Sequence, residues 1–154
     1  MNDASIIAAK RNTTHQLNPL ALWNDIPALT NASGLGYYTT NFDWFPVTDV
    51  SGAYIQFPPV LDAITLFING QRSPPLDYSN PTTDISPYLR NGSNEVLAIV
   101  PTTMWNYLRS ILGELKNAGS APAFGGTNPL ENKTANGLVG TVNVTPYETI
   151  TISG

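Results

Sequence analysis

Apolar and polar residues alternate along several short stretches of this chain, and a period of two marks a strand. In residues 37–44, Tyr38, Thr40, Phe42 and Trp44 share one face, while Tyr37, Thr39, Asn41 and Asp43 share the other. Residues 62–69 put Ile64, Leu66 and Ile68 together with Ala63 and Phe67 opposite, which predicts a strand covered on much of both faces. That stretch ends in Asn69-Gly70, the strongest short hairpin signal. Residues 52–57 and 94–100 predict two more strands. Residues 148–152 alternate strictly, with Ile150 and Ile152 expected inward, and residues 138–144 do so more loosely. Clusters of Gly, Pro, Asn and Asp separate these runs, so the expectation is an all-β fold, an antiparallel sandwich or jelly roll without internal repeats. One segment has a different period. In residues 103–117, Trp105, Leu108, Leu112 and Leu115 recur at helical spacing, and Met104 and Ile111 widen the stripe. This predicts one amphipathic helix, capped near Thr102 or Thr103 and ended by Gly119, lying across an edge or end of the sandwich. Residues 118–137, rich in Gly, Ala, Pro and Asn, read as a long surface loop.

Composition narrows the chemistry. The chain has 154 residues, enough for one sandwich domain spanning 1–154 with a core of its own. It has no cysteine, which excludes zinc ribbons, iron–sulfur clusters, thiol nucleophiles and disulfides. Its one histidine, His15, excludes a multi-histidine metal site. Seven Lys and Arg against eleven Asp and Glu give a net charge of −4, which argues against a nucleic-acid partner. No apolar run reaches the ~18 residues of a membrane-spanning helix, so no membrane partner is expected. Charged residues are only 12% of the chain, and its polarity comes instead from the residue types of turns and strands. The N-terminal residues lack the pattern of a signal peptide. Five Asn-x-Ser/Thr sequons stand at Asn12, Asn31, Asn91, Asn132 and Asn143. The two together suggest a module cut from a longer secreted protein.

Three segments carry a family resemblance. Ser33-Gly34-Leu35-Gly36-Tyr37-Tyr38-Thr39-Thr40-Asn41-Phe42 resembles the opening strand of the sugar-binding jelly-roll domain of glycoside hydrolase family 2. Leu66-Phe67-Ile68-Asn69-Gly70 is similar to that family's apolar-Val/Ile-Asn-Gly hairpin. The run from Asp84 to Leu97, DISPYLRNGSNEVL, resembles its Asp-Ile-Thr-x-Tyr-Leu-x-x-Gly-x-Asn-x-Leu segment. The Thr103–Leu108 helix and Gly137-Leu138-Val139-Gly140 look like a fungal variant, found in C-terminal modules of large secreted enzymes such as the family 106 α-L-rhamnosidases. The resemblance implies a galactose-binding-domain-like fold and a non-catalytic role beside a separate catalytic domain. Structural calcium, which related sandwiches carry, is a further implication, although no Asp-x-Asp-x-Asp loop names its ligands. No other cofactor is expected.

The roles of the matched residues are structural on their own physics. Asn69-Gly70 supplies positive φ angles, Asp84 starts a turn by accepting nearby amides, and Pro87 presets φ within it. Tyr88 and Leu89 plug one end of the core, and Gly92 reverses the chain. A ligand site therefore has to come from elsewhere. Sugar rings stack their C–H faces on aromatic side chains while amides, carboxylates and guanidinium bind the hydroxyls. Tyr78, in the turn-rich Pro75–Asn80 loop, with Asp77 and Arg72 nearby in sequence, is the leading candidate site. Trp44 at the end of its strand, Trp105 on the helix stripe and Tyr107 on the outer side of the helix complete the set. No residue is assigned a catalytic role, because the acids sit mostly at turns and His15 has no evident partner. The expected function is a carbohydrate-binding or accessory module of a secreted glycoside hydrolase, its partners a plant or fungal polysaccharide or the catalytic domain of the same chain. The alternatives are a purely structural domain that packs against a catalytic domain and a small stand-alone jelly-roll enzyme acting on carbohydrate.

Overall fold

The computed structural model describes residues 12–48, 51–60, 63–117 and 134–152. Its strands are β1 (Leu35–Trp44), β2 (Ser51–Gln56), β3 (Thr65–Ile68), β4 (Gln71–Arg72), β5 (Thr82–Asp84), β6 (Gly92–Pro101) and β7 (Asn143–Glu148). They form two antiparallel sheets, one in the order β1-β6-β3-β4 and one in the order β5-β2-β7. The chain crosses between the sheets at almost every step, the wrapping of a jelly roll. β1 and β6 pair along their whole lengths, from Leu35 opposite Pro101 to Trp44 opposite Gly92.

The core lies between the sheets and follows the alternation. Ala53 and Ile55 of β2 face Leu66 and Ile68 of β3 and Val96, Ala98 and Val100 of β6. Tyr38, Phe42 and Trp44 of β1 pack against this cluster half-buried, as do Tyr88 and Leu89. Thr40, on the same face of β1, is exposed. The hairpin is formed as expected, with Asn69 at φ 52° and Gly70 at φ 78° between β3 and β4.

Three expectations are corrected. Residues 149–152 are not a strand, and Ile150 and Ile152 are 84% and 90% exposed. β7 lies at the edge of its sheet and pairs only with β2, whose ladder stops at Ser51 opposite Glu148. Beyond Glu148 the alternating residues meet no ladder. Next, the single helix is two, α1 (Trp105–Ser110) and α2 (Leu112–Asn117). The Ser110 hydroxyl donates to the Tyr107 carbonyl, the acceptor that the Ile111 amide would use in a continuous helix. That amide bonds Arg109 instead. The apolar stripe is also only partly covered, since Met104 and Leu108 are exposed while Asn106 is buried. Last, the segment expected as a surface loop is in part interior. Asn136 is buried, and Asn106 closes two hydrogen bonds of 2.9 Å on the backbone of Thr134. Gly119 and residues 118–133 lie outside the described residues.

The motifs that are separate in sequence meet at one end of the sandwich. Asn94 is wholly buried, and its carboxamide uses every donor and acceptor site it has. Oδ1 accepts from the Asn69 side chain and the Arg90 amide, and Nδ2 donates to the Arg90 and Gly92 carbonyls, all at 2.8 Å. The Asn69 side chain also donates to the Tyr88 carbonyl and accepts from the Glu95 amide. The hairpin, the turn at 86–92 and the start of β6 are thereby held as one bracket.

Candidate functional site

A cleft of about 260 Å³ opens beside this bracket, at the end of the sandwich where β1 finishes and β6 begins. Trp44, Pro46 and Leu89 form its apolar wall. Thr48, Ser51, Ser86, Arg90 and Asn91 supply hydroxyl, amide and guanidinium groups. Trp44 is half-buried and contributes both to the core and to the cleft. Among the described residues Arg90 is the one ionisable group in the lining, with no carboxylate and no histidine beside it.

The floor at Ser86 is fixed by a polar network. The Ser86 hydroxyl accepts from the Ala53 amide at 3.0 Å and donates to Asp84 Oδ1 at 2.5 Å. The Tyr147 hydroxyl donates to Asp84 Oδ2 at 2.8 Å and lies 3.0 Å from the Ser86 hydroxyl. Tyr147 comes from β7, crosses Gly52 and stacks on Tyr54 with ring centroids 4.9 Å apart. A Cβ at position 52 would run into the Ser86 hydroxyl and the Tyr147 ring, so only glycine fits there. Burial by itself pushes Asp84 up. Hydrogen bonds from the Ser86 hydroxyl and amide and from Tyr147 outweigh it and hold the carboxyl below its ordinary 3.8. The Ser86 contact lowers the Tyr147 phenol, but its bond to Asp84, desolvation and the nearby negative charge carry it above 10.0. Asp84 is therefore an ionised, fully engaged anchor.

Of the residues singled out in sequence, only Trp44 lines this cleft. Tyr78 is exposed at 66%. Asp77 accepts from the amide and hydroxyl of Ser79 at 2.8 and 2.7 Å, bonds that hold its carboxyl below 3.8. Asp77 thus closes its own turn, and no ion pair joins it to Arg72, which is exposed on β4 opposite Phe67. Trp105 and Tyr107 are half-buried on α1, which follows the Leu35–Pro101 end of the long ladder. Trp44 stands at its other end, nine rungs away, roughly 30 Å along a strand. The six candidates therefore do not form one site. Arg90, Asn91, Ser51 and Thr48 are the lining residues that sequence reasoning passed over. Apart from the Asn91 sequon their one signal was position, since Thr48, Arg90 and Asn91 lie in turns at the Trp44 end of the strands and Ser51 opens β2. His15 is exposed, its Nε2 3.2 Å from the Thr13 hydroxyl. Among the described residues no three His, Asp or Glu side chains gather in a group that would hold a metal ion.

No protein-family model matches the chain, and no curated protein matches it. Solved structures of glycoside hydrolases share its fold. Over 79% of this chain the fold is similar to part of the rhamnosidase from Novosphingobium sp. PP1Y, at 18% identity and a TM-score of 0.60. Over 58% of it the fold is similar to part of the β-D-glucuronidase of Dictyoglomus thermophilum, at 18% identity and a TM-score of 0.52. The match takes up 12% of the first of those chains and 17% of the second, so this chain spans a small part of the length of each.

Proposed function

We propose that this chain is a non-catalytic carbohydrate-binding or accessory module of a larger secreted glycoside hydrolase, and that the Trp44 cleft is where it meets sugar. The observation that carries the proposal is the lining of that cleft. It sets an indole and two aliphatic surfaces beside hydroxyl, amide and guanidinium donors. That is the equipment for a pyranose, whose C–H face packs on an aromatic ring while its hydroxyls take hydrogen bonds. Glycoside hydrolysis uses two carboxylates, about 5–5.5 or 6.5–9.5 Å apart. Among the described residues the cleft lining offers none, which supports binding rather than bond cleavage. The fold likeness to small parts of a rhamnosidase and a glucuronidase supports an accessory place in a longer chain. With the sequence resemblance above, the parent we favour is a fungal family 106 α-L-rhamnosidase.

A second reading, a structural domain that buttresses a catalytic neighbour, draws on one observation. Leu35 and Tyr37 are exposed on the outer face of β1, where Tyr37 stands opposite half-buried Ile99. Titration of the chain with a panel of plant and fungal glycans, followed by NMR amide shifts, separates the two. The expected result is millimolar or tighter binding, with shifts at Trp44, Asn91 and their neighbours. Asn91→Ala and Trp44→Ala should each weaken it, the latter about tenfold, with melting curves confirming that both variants fold. If no glycan moves any amide at millimolar concentration, the binding role is lost and the buttress remains.

A further inference from the structure

We infer that the cleft selects an acidic sugar, a hexuronate residue, and that Arg90 sets that preference by pairing with the sugar carboxylate. The inference rests on the reading of the cleft as a sugar site and goes beyond it to the class of sugar. Its basis is a cation with no anion beside it among the described residues, none of whose carboxylates lines the cleft. The Arg90 side chain makes one long hydrogen bond, 3.5 Å from Nη2 to the Asn69 carbonyl. No carboxylate pairs with it among the described residues, so most of its five N–H donors stay open to a ligand.

The backbone that carries that cation is held from both sides. The Arg90 amide and carbonyl are each bonded at 2.8 Å to buried Asn94. The Asn69 residue whose carbonyl takes Nη2 is tied to the same Asn94 side chain. The exposed Arg90 side chain therefore extends from a fixed stretch of backbone. A planar guanidinium fork matches a carboxylate in a bidentate pair and gives the charge-assisted bonds that a neutral hydroxymethyl group cannot. Trp44 offers the ring a flat apolar face, and Asn91 remains for hydroxyls, while the Ser51 hydroxyl is held by the amide and hydroxyl of Thr48, each at 3.0 Å. The Ser86 hydroxyl is already engaged by Asp84 and Ala53. A volume of about 260 Å³ falls just under the roughly 300–1,000 Å³ of drug-sized sites, which suits one pyranose residue.

The test uses the full chain in calorimetric titrations at low salt. The ligands are galacturonate and glucuronate oligosaccharides, their methyl esters, the neutral galactose and glucose counterparts, and a sulfated galactan oligosaccharide. Methyl esters keep the shape and remove the charge. The expected result is at least tenfold tighter binding of the free acids than of esters or neutral sugars, shrinking as salt is raised. Arg90→Gln should abolish that preference, bringing the affinity for the free acids down to that for the esters and neutral sugars. Arg90→Lys should keep part of it, with charge but no fork. Both variants retain the backbone bonds to Asn94, and unchanged melting curves confirm their fold. Equal binding of acids, esters and neutral sugars overturns the inference and leaves the sugar site standing. Tighter binding of the sulfated ligand than of the uronates overturns the carboxylate assignment. Absence of binding to every ligand removes the sugar site itself.

Discussion

Asn94 is a polar side chain in a wholly buried place, and it is stable there because all four of its hydrogen-bonding sites are matched. A buried amide left without partners costs about 1–3 kcal/mol. Truncation to alanine orphans the Arg90 amide and the Arg90 and Gly92 carbonyls together. Asn94→Ala should therefore lower stability by about 2–3 kcal/mol in urea unfolding, and Asn94→Asp should do comparable harm by pointing an anion at two carbonyls. A loss under about 0.5 kcal/mol for Asn94→Ala would mean the bracket is not a unit. Part of this was legible. Asn69-Gly70 announces its positive φ angles, and Asp84 announces a turn, because those are local properties of residue type. That Asn69 and Asn94 would share a hydrogen bond was not, since they are 25 positions apart and meet only through β3–β6 pairing.

At the scale of elements, period alone decided less than partners did. The 148–152 segment has the alternation of a strand, and it lacks a ladder to join. The 103–117 segment has the stripe of a helix, but a serine hydroxyl takes the carbonyl on which continuity depends. Its anchor to the rest of the described chain runs through a polar residue. Asn106 is 1% exposed and holds the Thr134 amide and carbonyl in a two-bond clasp. Hydropathy patterning ranks an asparagine as outward, so this anchor was invisible in sequence. Asn106→Ala should open the clasp locally. Native-state hydrogen exchange at the Thr134 amide is then expected to accelerate about tenfold or more, while β6 amides keep their protection. Unchanged exchange at Thr134 would show that other contacts hold the segment.

Across the whole molecule, charge enters stability through a few carboxylates. Asp77 and Asp84 both have folded-state values held below 3.8 by hydrogen bonds to their ionised forms. Near and just below that ordinary value the unfolded chain binds more protons than the folded one. The stabilisation is therefore fully present above pH ~4 and is lost as pH falls through the depressed values. Melting temperature should stay level from neutral pH to about 5 and drop below 4. Asp84→Asn should flatten part of that drop at some expense in stability at neutral pH. An acid limb identical in the variant would assign the effect to other carboxylates.

The sequence by itself determined the sandwich, because alternation and turn chemistry are local and the apolar faces have one way to be buried together. It also pointed to aromatics, amides, hydroxyls, carboxylates and guanidinium as the groups from which a ligand site would be built. The tertiary structure decided which of those groups meet. It left Tyr78, Asp77 and Arg72 on the surface, sent Trp105 and Tyr107 to the far end of the ladder, and joined Trp44 to Arg90 and Asn91. The physical reason is that a cleft is made by pairing register and by the turns that register brings side by side. Whether a cation has an anion beside it is likewise a fact about neighbours in space, which no spacing along the chain encodes.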